Sequence, residues 1–355
     1  MYFIGGDIHK LISTFNVMNS KLKTVEEFVD IPTSEEGFRC ITRRYNPKDC
    51  IILIETSTRS VYVQRFFHNA GYNILVGHAK DLRNINNSKV KTDRVDARKL
   101  AEYAKMYHDW EKNRPTDELG RPVRPPFRIS RMTDLSEYMN RNMTRQMMRL
   151  TELASEYKKS IQEYMSAQNI CMPTNFKSVD ADRSVRFLKE YPDVAVNGMV
   201  QIMEDAMRWE SDVETELKKN LGDDENVNLL MTIPGIDFKL ASYFAMHIRD
   251  ISDFDSPDAL VSYFGMTPVI DESAHKRKSG RSITRDSSSK LRKKVYDAVR
   301  NHTRCCRNSD ITKFELRMMH KIGLRSAEAA AGRKLVTVMW AMLTYREPFS
   351  PHPGR

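Results

Sequence analysis

Cysteine is scarce and is not arranged for chemistry. Cys40, Cys50, Cys171, Cys305 and Cys306 are odd in number and none lies in a C-x-x-C spacing, so neither a disulfide framework nor a zinc site is indicated. A reducing cytoplasm is the expected compartment. Long apolar runs are also missing. No stretch approaches the roughly eighteen residues of a membrane span, and the opening MYFIGGDIHK lacks the basic segment and apolar run of a secretory leader, so no membrane partner is expected. Glycine and proline number only 14 each in 355 residues, which excludes a collagen-like or low-complexity chain.

Apolar residues supply 40% of the chain and charged residues 29%, enough to bury sizeable cores, and the length fits two or three domains. The 20 Met fit helix-rich packing. The formal net charge is +10, and a surplus of nine sits between Lys276 and Arg304 alone. A charge so concentrated favours a polyanion such as nucleic acid.

Along the chain, residues 2–9 and 11–18 read as strands, SEEGFRCITRRY as a helix, and CIILIE as a central strand buried on both faces with Glu55 at its end. RSVYVQRFFHNAG, NILVG and KTDRVDARKLAEYAKM follow as helix, strand and helix, so an α/β layer with a mixed sheet is expected first. The Pro-rich RPTDELGRPVRPPF marks a linker. Two long polar helices, residues 133–165 and 179–221, then read as a helical hairpin or coiled-coil arm, with Leu135, Tyr138, Met139, Met147, Leu150 and Leu153 at three- and four-residue spacing. LLMTIPGIDFKLASYFAMHI has the layout of a helix-hairpin-helix element, whose turn can hold a phosphate. The expected domains are 1–113 (catalytic), 114–225 (linker and arm) and 226–355 (carboxyl-terminal, mainly α).

Asp7 in the first strand, Glu55 at the end of a central strand, and Asp93 and Asp96 one turn apart on a later helix should converge at one sheet edge. Each acid alone has a plainer explanation as a cap, a helix-dipole charge or a surface ion pair. Glu55 is the hardest to explain so, because a carboxylate ending so apolar a strand needs a partner or a metal. Hard oxygen ligands suit Mg2+, with Mn2+ as a substitute, and phosphodiester chemistry is the natural use. His9 adjoins the cluster without an assigned role.

GGDIHK, the strand-terminal Glu55, KTDRVDARKLAEY, TIPGIDFKLASYF, FGMTP and ITRDSSSKLRKKV, in that order, resemble the insertion-sequence one-ten family of DEDD transposases, relatives of the Piv DNA invertase. KTDRVDA is the most specific segment. The resemblance implies a RuvC-like, ribonuclease-H-type amino-terminal domain whose four acids bind magnesium, and a carboxyl-terminal transposase domain that contributes a serine nucleophile. It also implies a covalent phosphoserine step on donor and target DNA, a bridge-type non-coding RNA as guide, and a dimer or a tetramer at the synapse. The compartment implied is a prokaryotic cytoplasm, at the nucleoid.

The serine is where this sequence departs from the family, which carries a Ser-Gly pair after the Gly-x-x-Pro. Here Ser273 is followed by Ala274, and Ser279-Gly280 lies six residues on; distance from Pro268 favours Ser273, with Ser279 or neither as the alternatives. Lys276, Arg277, Lys278, Arg281, Arg285, Lys290, Arg292 and Lys293 are the expected phosphate contacts, since Lys and Arg without interleaved aromatics position a backbone rather than read bases. Tyr263 and Phe264 read as core. Two rivals remain: a RuvC-like endonuclease using water, and a nucleic-acid-binding accessory protein without catalysis. An actin-like sugar kinase would need a further Gly-rich phosphate loop, which is not found.

Overall fold

The computed structural model describes residues 1–85, 92–131, 134–170, 178–267 and 289–352. The chain forms two compact units, Met1–Leu135 and Ser136–Arg355.

The first unit contains β1 (Tyr2–Ile8), β2 (Ile12–Asn19), β3 (Thr24–Pro32), α1 (Glu35–Thr42), β4 (Cys50–Glu55), α2 (Ser60–Asn69), β5 (Asn73–Gly77), α3 (Ala79–Ile85) and α4 (Asp93–Asn113). The sheet order is β3-β2-β1-β4-β5; β1, β4 and β5 run parallel, and β2 and β3 are added antiparallel. Successive strand residues face opposite sides, and the burial follows that period. Ile4, Ile52 and Ile54 pack with Phe38 of α1 and Phe67 of α2, whereas Phe3, Ile51 and Leu53 pack with Leu100 and Tyr103 of α4. This is why CIILIE carries no polar residue before Glu55: both of its faces are covered.

The strand β3 was not expected. Its sequence, TVEEFVDIP, places acids at an outer edge where half the residues meet water, so its apolar signal is diluted. The Pro-rich passage ends by returning to the opposite edge. Phe127 is buried against α4, Ser130 N–H donates to Val76 O (2.7 Å), and Arg128 grips Asp81 through Nε (2.7 Å), so β5 is not left bare.

The second unit is helical among its described residues: α5 (Leu135–Ala167), α6 (Asp182–Glu190), α7 (Val194–Leu221), α8 (Glu225–Met231), α9 (Phe238–Ile248), α10 (Pro257–Tyr263), α11 (Ser289–Cys305), α12 (Asp310–Ile322) and α13 (Leu324–Tyr345). The expected second long helix is two, because Pro192 cannot continue α6 and Asp193 starts α7 by accepting from Ala195 and Val196 N–H. The buried stripe of α5 also differs from the expected seam. Met147 is buried, but Leu135, Tyr138, Met139 and Leu153 are exposed, while Asn140, Thr144, Met148, Ala154, Ile161 and Met165 face inward.

The helix-hairpin-helix layout expected here is present as α8, a Pro-Gly turn and α9, but its turn is packed rather than open. Gly235 has φ +91°, and a Cβ there would lie 2.6 Å from the Asn301 carbonyl carbon of α11. His302 Nδ1–H donates to Pro234 O (2.8 Å), and Ser309 Oγ–H donates to His302 Nε2 (2.8 Å). Asp237 already caps α9 by accepting from Leu240 N–H, so the expected phosphate cradle is filled by the chain's own carboxylate. No helix among the described residues is long and apolar enough to cross a membrane.

Candidate functional site

Strand parity decides where the first two acids point. Asp7 shares a face with Phe3 and Gly5, and Glu55 with Ile51 and Leu53, the side covered by α4. The register Gly5↔Leu53 and Gly6↔Ile54, carried one residue further, brings Asp7 alongside Glu55. Gly5 then sets the distance to α4: a Cβ there would lie 2.0 Å from Ala97 O and 2.3 Å from Ala101 N, so the helix backbone rests directly on β1. Thr92 starts α4 by accepting from Val95 N–H, which leaves Asp93 and Asp96 in the first turn.

The charges of the other three acids reach Asp7 from here. Burial holds the Asp7 carboxyl above its ordinary range; the His9 charge opposes that shift, and the charges of Asp93, Asp96 and Glu55 add to it. His9, just past β1, places Nε2 3.3 Å from Asp7 Oδ2 and 3.4 Å from Asp93 Oδ2. The donor atoms of Asp7, His9 and Asp93 all lie within 4.8 Å of one another. Arg83 approaches Glu55 at 3.6 Å. A set of carboxylate oxygens with one imidazole, its central acid only 22% exposed, fits a hard divalent cation. His9 is the residue that sequence reasoning left without a role. Its spacing of two from Asp7 put it on the same strand face, but its second partner, Asp93, comes from a distant helix.

Of the basic residues, Lys290, Arg292 and Lys293 begin α11. Lys290 is exposed, Lys293 pairs with Glu152 (3.1 Å), and Arg292 donates to Gly265 O (3.3 Å). Arg333 of α13 donates to the next carbonyl, Met266 O (3.3 Å), so two guanidinium groups fix the start of FGMTP. Phe264 is fully buried, as expected, whereas Tyr263 is 38% exposed. Ser273, Lys276, Arg277, Lys278, Ser279, Arg281 and Arg285 lie outside the described residues.

Two family models match the chain. Residues 4–125 match the DEDD transposase model of the IS110 type, and residues 227–314 match the model described as the transposase IS116/IS110/IS902 family. No curated protein matches. The first match covers β1 through α4 and so contains all four acids, and the second begins in α8 and ends in α12. The chain belongs to the IS110 family of transposases, DEDD-type enzymes that cleave DNA through a divalent metal.

Proposed function

We propose that Asp7, Glu55, Asp93 and Asp96 hold Mg2+, or Mn2+ in its place, and that the chain uses this site to cut and exchange strands of donor and target DNA when an insertion sequence moves. The observation that carries the reading is that the charges of Glu55, Asp93 and Asp96 all bear on the half-buried Asp7. Bound there, the ion supplies Lewis-acid polarisation of the scissile phosphate. The carboxylates fix its position, with Asp7 supplied by the central strand of the sheet.

Ser273 serves as the nucleophile, with Ser279 as the alternative. Its Oγ attacks phosphorus, the Oγ–P bond forms as the P–O bond to one DNA end breaks, the hydroxyl proton is lost to a base, and the departing end gains a proton. Attack by the hydroxyl of a second strand end on the phosphoserine reverses these changes and joins the strands. The resemblance of FGMTP and the segment after it supports this step. The same resemblance supports guidance by a bridge-type RNA, a tetramer at the synapse and action at the nucleoid of a prokaryotic cytoplasm, while the helical arm within 114–225 supports a dimer. Lys276, Arg277, Lys278, Arg281, Arg285, Lys290, Arg292 and Lys293 contact backbone phosphates in this reading, on the strength of their local charge surplus.

The test uses the full chain with DNA carrying the element ends and the RNA encoded beside them. Wild type yields a protein–DNA adduct that survives denaturation, and Ser273→Ala yields none. Cleavage by Ser273→Ala at the wild-type rate, with no adduct, would instead identify a nuclease that uses water.

A further inference from the structure

We propose that Arg141, Arg145 and Arg249 of the carboxyl-terminal unit form a strip that binds the sugar-phosphate backbone of a nucleic acid, apart from the basic segment that begins α11. This rests on the reading that the chain acts on nucleic acid.

The α5 helix places Glu137, Arg141, Arg145 and Glu152 at spacings of four, four and seven, on a single stripe. Like charges at Arg141 and Arg145 repel along it. Arg141 Nε is shielded from solvent and has no hydrogen-bond partner among the described residues. Burial presses the Arg141 guanidinium toward its neutral form, Arg145 and Arg249 press the same way, and Tyr263 and Glu137 oppose them. Glu137 is already taken by Arg249, through Nε and through the terminal nitrogen at 3.1 Å. Glu152, at the far end, is taken by Lys293 (3.1 Å) and Lys294 (3.2 Å). Nearby His247 adds no charge, since burial holds its pKa at about 4.

Arg249 is fixed by its backbone as well. It caps α9 at φ +64° and ψ −84°, a conformation rare for a residue with a side chain, while its N–H donates to Ala245 O (2.7 Å) and Asn226 Nδ2 donates to its carbonyl (3.4 Å). A half-buried guanidinium whose Nε has no partner among the described residues, beside two further guanidiniums, is poorly placed for stability and well placed for an oxyanion. The planar fork of arginine matches phosphate. The ligand is a polymer rather than a single anion because the stripe from Arg141 to Glu152 runs about 16 Å, or about five phosphate steps of one strand, and ends at the α11 lysines.

The test measures binding of the full chain to mixed-sequence duplex DNA and, separately, to duplex RNA, in chelator and across a salt series, so that neither cleavage nor the metal site contributes. The double variant Arg141→Met, Arg145→Gln should bind at least one of them about 10-fold more weakly, with the slope of log K against log salt reduced by about 1.8, as expected for two lost phosphate contacts. Its melting temperature should equal or exceed that of wild type. Loss on DNA alone or on RNA alone assigns the strip to that acid. If the double variant does not fold, Arg145→Gln alone should reduce the slope by about 0.9, and Arg145→Lys should restore it. An unchanged slope on both acids overturns the proposed strip and leaves the function standing. Absence of salt-dependent binding by wild type overturns both.

Discussion

Asp7 is the residue on which three other carboxylates act, and burial already raises its carboxyl. A raised carboxyl pKa means that the folded chain binds the proton more tightly than the unfolded one. The contribution of Asp7 to stability is therefore greatest below pH 3.8, is lost as pH climbs from there through the folded pKa, and is absent at neutrality. In ion-free protein at pH 7, Asp7→Asn should raise the thermal midpoint while reducing DNA cleavage by about 100-fold or more; a lowered midpoint would mean that Asp7 is a structural residue. His247 works in the opposite sense. Its folded pKa of about 4 lies below the ordinary 6.5, so its own contribution to stability is full above pH 6.5 and drains away as pH falls toward 4. His247→Asn, which can keep a donor for Tyr243 O, should flatten the urea midpoint across that window.

Among the elements, the contact of α4 with β1 builds the site. Gly5→Ala should cost about 3 kcal/mol, since the added methyl meets helix backbone that cannot rotate away, and metal binding should weaken with it. Thr92→Ala should cost about 1 kcal/mol by removing the cap on Val95 N–H. Urea unfolding of the two variants separates overpacking from a lost cap. The central strands and the acids that end them were legible because apolar runs and strand parity are local signals. The edge strand β3 was not, because Glu27 and Asp30 are exposed and Glu26 is held by Tyr45 OH (2.8 Å), so acids stand where a strand pattern would show apolar residues. The seam of α5 was misjudged for a related reason: Asn140 and Thr144 are buried, and Asn140 accepts from Asn220 Nδ2 (2.9 Å) on α7, a partner that no spacing within α5 reveals. The role of His9 depends on Asp93, more than eighty residues away.

At the scale of the whole molecule the work is divided between two units, with the acid site on the first and Ser273 and the basic segment from Lys276 to Arg304 on the second. The central claim is that all four acids form one metal site, and a narrower arrangement of Asp7, His9 and Asp93 is its sharpest competitor. Calorimetric titration of Mn2+ into the full chain and into Asp7→Asn, Glu55→Gln, Asp93→Asn and Asp96→Asn tests the claim without any need for turnover. Each substitution should weaken binding by about 10-fold or more. Wild-type affinity in both Glu55→Gln and Asp96→Asn would contradict it, leaving a three-donor site in its place.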